Sequence, residues 1–92
     1  MQQGLLWYDD DPKKSLLAVL EAAATRHHER LGYWPRVCHV AEGRKDIAWA
    51  DGRARVTLTV GNPCSVVLTL VANKAIRPGY YWLGMSEVRQ AA

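Results

Sequence analysis

The sequence predicts an α/β (α+β) fold in two layers: one long helix packed on one face of a mixed sheet of five or six strands. Three observations carry this reading. A strand-helix-strand pattern fills the first 41 residues. Apolar and polar residues then alternate over Arg53–Val60, and again through Val66, Leu68 and Leu70. Turn signals punctuate the second half at Asp51-Gly52, Gly61-Asn62-Pro63 and Pro78-Gly79. A βαβ start followed by hairpins is the arrangement these signals describe.

Taken in order, Gly4-Leu5-Leu6-Trp7-Tyr8 is a short apolar run that stops at three aspartates and reads as a strand. A helical pattern covers residues 12–31, with Asp11 as the expected N-cap and Pro12 in the first turn. Leu16, Leu20, Ala23, Ala24, His27 and Leu31 recur at spacings of three and four and are expected to face the sheet. Gly32 suits the left-handed position after a helix, and Tyr33 can fold back on the last turn. Arg36–Ala41 reads as a second strand, parallel to the first if both share a sheet. Asp51-Gly52 joins an expected strand over Ile47–Ala50 to one over Arg53–Val60. A last strand runs from Tyr80 to Met85, and the tail from Ser86 reads as loose.

The totals narrow the class. Ninety-two residues make one domain, with 49% apolar and 23% charged side chains, which is ordinary globular composition. The longest strongly apolar stretch, Val66–Ala72, is far too short to cross a bilayer as a helix. No basic-then-apolar segment opens the chain, and Cys38 and Cys64 are too few for a disulfide scaffold. The expectation is a cytoplasmic protein with free thiols and no membrane partner. Net charge is +3, with four basic and five acidic residues in 1–35 and eight basic against four acidic in 36–92. That imbalance permits an acidic partner, though the Lys and Arg are scattered. Four Trp, four Tyr and no Phe favour half-wet positions and interfaces.

Asp9-Asp10-Asp11 is the most chemical-looking feature, because it sits where a strand hands over to a helix. Adjacent carboxylates supply the hard oxygen donors that Mg²⁺ wants. The run LLWYDDDPKKSL resembles the opening of response-regulator receiver domains, where paired acids after the first strand bind magnesium. The resemblance covers about fifteen residues; the later chain has neither the phosphoryl-accepting aspartate nor the lysine of that family. Helix capping and the favourable placement of negative charge at a helix N-terminus account for the same residues without a ligand. His27, His28, Cys38, His39 and Cys64 show no metal-ligand spacing. Cys38 and His39 are strand neighbours that face opposite ways, so they cannot form a nucleophile pair.

The second half offers a surface instead. Arg53, Arg55, Thr57 and Thr59 share one strand face, opposite Val56, Leu58 and Val60, which need the helix. Val67, Thr69 and Val71 fall on the same open side, and Tyr80-Tyr81-Trp82 adds large rings on both sides of the last strand. With Trp49 just across the Asp51-Gly52 turn, arginine beside an aromatic ring makes a stacking platform for single-stranded nucleic acid. The expected binding residues are therefore Trp49, Arg53, Arg55, Thr57, Tyr80 and Trp82. A solvated strand face is the plainer reading of the same pattern.

LLWYDDDPKKSL, the helix ending in LG, WPRVCHV and YYWLGM together resemble a group of small uncharacterised bacterial proteins. These open on an aromatic-Tyr-Asp-x-Asp-Pro-Lys/Arg pattern and close on a Trp-x-Gly strand. The resemblance implies a bacterial, intracellular, single-domain protein and no activity. The sequence thus points to a non-catalytic interaction module without a cofactor, working as a homo-oligomer or with a protein or nucleic-acid partner. The alternative is a Mg²⁺-dependent phosphoryl-transfer or nuclease-like enzyme using Asp9 and Asp10.

Overall fold

A computed structural model of the chain describes residues 4–60 and 65–85. The element order is β1 (Gly4–Tyr8), α1 (Leu16–Leu31), β2 (Val37–Ala41), β3 (Arg53–Thr59), β4 (Ser65–Asn73) and β5 (Tyr80–Gly84). The five strands form one mixed sheet in the order β1-β5-β2-β4-β3. β5 runs antiparallel to both β1 and β2, so β1 and β2 point the same way with β5 between them. β2 and β4 are parallel, and β3 pairs antiparallel with β4 at the sheet edge. The expected Gly61-Asn62-Pro63 turn, Cys64 and the tail from Ser86 lie outside the described residues.

The helix begins later than the sequence suggests. Asp11 spends its carboxylate on the Lys13 N–H at 2.9 Å, and its carbonyl accepts from Lys14 N–H at 3.2 Å. That closes a turn over Pro12 instead of opening a helix. Ser15 is the N-cap, its hydroxyl accepting from Ala18 N–H at 3.1 Å. The helix ends as expected at Gly32, whose φ of 84° and N–H bond to the His28 carbonyl make a left-handed cap.

The core lies between α1 and one sheet face. Val19, Leu20, Ala23 and Ala24 meet Cys38 and Val40, Leu58, Leu68 and Leu70, and Tyr81 and Leu83. Leu31, expected to be buried with Leu20, is only half-buried, and Val19 takes the inner place. His27 is fully buried in the same helix face. Ile47–Ala50 is not a strand. The Asp51-Gly52 turn is there, with both residues at positive φ (60° and 76°), but beyond it only Ala50 pairs with Arg53. Ile47 instead turns into the core.

Candidate functional site

Side chains alternate across a strand, so the register defines the face that α1 leaves uncovered. One row across it runs Leu6, Trp82, His39, Val71, Arg53. The next runs Gly4, Gly84, Val37, Thr69, Arg55. Tyr8 faces Tyr80 above them, with ring centroids 4.7 Å apart and planes tilted by 50°. Thr57 pairs with Val67 at the β3 end. Arg53, Arg55, Thr57, Tyr80 and Trp82 of the expected binding residues therefore share one face. Apolar area on it is wet: Leu6 is 58% exposed, Tyr8 53% and Val67 57%.

Trp49 does not belong to that face. It packs on the helix-side core, and its indole N–H donates to the Arg44 carbonyl at 3.2 Å. Residues 42–50 fold over the end of the core rather than extending the sheet, so strand alternation does not carry across the turn.

Trp82 is the ring the face is built around. A Cβ on Gly4 would fall 2.3 Å from Trp82 Cζ2, and one on Gly84 would fall 2.3 Å from Cη2. Gly4 and Gly84 are cross-strand partners on the open side, so the indole lies across both, in space that only two glycines leave. His39 sits against its edge, centroids 5.5 Å apart at 73°. His39 is itself buried beside Asn73. The Asn73 carboxamide oxygen accepts from Ala75 N–H at 2.8 Å, so its NH₂ is the group that meets His39 Nδ1 at 2.9 Å. That makes Nδ1 the acceptor and fixes the neutral tautomer with hydrogen on Nε2.

The acidic corner forms the rim of a second feature, a cleft of about 670 Å³ at the carboxyl ends of β1 and β2. Asp9, Asp10, Asp11, Glu42 and Asp46 line it together with Lys14, Arg44 and Tyr81. Its charged groups are largely paired within the chain. Lys14 donates to Asp9 Oδ2 at 2.8 Å, and Asp11 N–H donates to Oδ1 at 3.1 Å. Those bonds, Lys14 foremost, hold the Asp9 carboxyl below its ordinary range. Tyr8 hydroxyl donates to Asp10 Oδ2 at 2.6 Å, which raises the phenol above its usual value. Arg44 forks onto both oxygens of Asp46 at 2.9 and 2.6 Å and also donates to the Tyr81 hydroxyl. The Asp46 carboxyl is lowered by that guanidinium. Among the described residues no three His, Cys, Asp or Glu side chains gather as a metal site.

No protein family, curated protein or solved structure matches this chain. No helix among the described residues is long and apolar enough to cross a membrane.

The other sequence candidates fall into structural places. Cys38 is a fully buried free thiol among the core residues, and burial pushes its pKa far up, so it is no nucleophile. His28 stacks on Trp34 at 4.2 Å. His27 Nδ1 meets the Tyr33 carbonyl at 2.9 Å, as a donor, leaving buried Nε2 without a partner. The acidic rim of the cleft is visible in the sequence as Asp9-Asp10-Asp11, but its other wall is not, because Arg44 meets Tyr81 across 37 positions of chain. The seat of Trp82 did carry one: Trp82-Leu83-Gly84 places ring and glycine on one strand face.

Proposed function

We infer that the protein is a non-catalytic binding module and that the open sheet face is its contact surface. The carrying observation is the combination on one face of exposed Leu6, Tyr8 and Val67 with the half-buried rings of Tyr80 and Trp82. Isolated exposed apolar residues are ordinary; apolar side chains and rings gathered on one sheet face mark an interaction site. The cleft supports catalysis less well. Its cations are tied to carboxylates, and its acids hold a turn, a tyrosine and the loop after β2. Among the described residues Glu42 is the one acid of the cleft with no bonded partner; it is exposed, and Lys14 and Tyr81, the groups that could act with it, are already bonded.

Paired baits test this reading in lysate of the cells that make the protein. A Leu6→Asp, Val67→Asp chain should lose the partners that the wild-type chain retains. A Lys14→Ala, Arg44→Ala chain, altered only in the cleft, should keep them, with melting curves showing that both variants fold. Partners kept by the face variant and lost by the cleft variant would move the function to the cleft.

A further inference from the structure

We propose that the open face binds single-stranded nucleic acid, with bases stacking on Trp82 and Tyr80 and phosphates meeting the arginines of β3. This rests on the face being the contact surface and names the occupant its chemistry fits. Three features of the face carry it.

The first is the seat of Trp82. With no Cβ at Gly4 or Gly84, the indole fills the space over both glycines and stays half-exposed on the open face. A large half-exposed ring seated on a sheet is a candidate base-stacking surface, and its position is set before any ligand arrives. Tyr80 lies two residues along the same strand face, about 7 Å away at the usual strand rise. Successive stacking sites along one strand suit successive bases of an unpaired chain.

The second is charge. The strand positions of this face hold Arg53 and Arg55 and no carboxylate. The connection above Tyr80 adds exposed Lys74 and Arg77. Nearby acids are at the margins: Asp10 holds the Tyr8 hydroxyl, and Asp51 lies in the turn before β3. Among the described residues the strand positions of this face carry cations and rings and no carboxylate, which suits an anionic polymer with flat bases.

The third is spacing. Arg53 stands in the same cross-strand row as Trp82, and Arg55 in the same row as Gly84, each three strands away. At the usual strand separation that is about 14 Å. Val37 and His39 of β2 and Thr69 and Val71 of β4 fill the interval, so a chain that stacks at β5 crosses a mixed floor to reach β3. A second copy of this protein on the same face would bring Arg55 against strand positions that, among the described residues, carry no carboxylate.

Fluorescence anisotropy of a labelled single-stranded DNA or RNA 15-mer of mixed sequence tests the proposal. Binding is expected at about 50 mM salt and should weaken on the order of ten-fold by about 200 mM, as two or more phosphate contacts require. Arg55→Ala should weaken binding and flatten that salt slope. Trp82→Leu and Tyr80→Leu should each weaken it by about ten-fold, the loss of one stacked base. Tyr80→Leu keeps the test valid if Trp82→Leu fails to fold. Lys14→Ala, on the cleft, should bind as the wild type does. Absence of binding at low salt, or binding indifferent to Arg55 and Tyr80, overturns the proposal. If the chain instead self-associates, or holds a protein, through Leu6 and Val67 without taking the oligonucleotide, this occupant is wrong while the contact surface stands.

Discussion

His27 shows at a single residue how burial decides chemistry. Its ring is fully buried, and desolvation lowers its pKa below the ordinary histidine value despite the Tyr33 carbonyl, which favours the charged form. The folded state therefore holds His27 neutral at a pH where the unfolded chain is protonated. Stability is complete above the unfolded value, near pH 6.5, and is lost as pH falls below it toward the folded value. Melting temperature should decline from about pH 7 to 5.5, and His27→Gln should flatten that decline even though it lowers the melting temperature itself. A wild-type curve flat over this interval would contradict a neutral buried ring. Asp9 is tested as simply. With both oxygens bonded inside the chain, millimolar Mg²⁺ should leave the melting temperature unchanged. A rise that disappears in Asp9→Asn would show a cation site. At Gly84, a methyl group would collide with Trp82. Gly84→Ala should cost about 1–3 kcal/mol in a denaturant titration, the range for overpacking.

At the scale of elements, the helix and the middle of its buried face (Leu20, Ala23, Ala24 and His27) were legible from three- and four-residue spacing; its ends were not, since Val19 is buried while Leu16 and Leu31 are half-buried. Leu20→Ala should accordingly cost about 2–5 kcal/mol, as a fully buried leucine does. The helix start was not legible. Asp11 and Ser15 are both capping residue types, and sequence alone ranks the one beside proline first. The structure gives the cap to Ser15, so Ser15→Ala should cost about 1 kcal/mol. Asp11→Ala, which loses only a turn contact, should cost less. Strands β3, β4 and β5 were readable from alternation and turn residues. The Ile47–Ala50 arm was not, because the hold of Arg44 on Asp46 and Tyr81 depends on a contact distant in sequence. That error also put Trp49 on the wrong face.

For the whole molecule, one helix covers one side of five strands and leaves the other side as surface. Alternation put Arg53, Arg55 and Thr57 on one face; Tyr80-Tyr81-Trp82 read only as rings on both sides of the last strand, and the register is what puts Tyr80 and Trp82 on the arginine side. How the face is organised needed strand order: β1 had to lie beside β5 before Gly4 and Gly84 could seat the indole. The same order sets the polar cleft at one end of the sheet, away from the Arg55 row. Hydroxyl-radical footprinting of the chain, free and with its bound partner, separates these two surfaces most directly. Leu6, Tyr8, Tyr80 and Trp82 should be protected on binding, with Trp34 and Tyr33 on the helix side unchanged. Unaltered reactivity at Leu6, Tyr80 and Trp82 in a formed complex would contradict the open face as the contact surface.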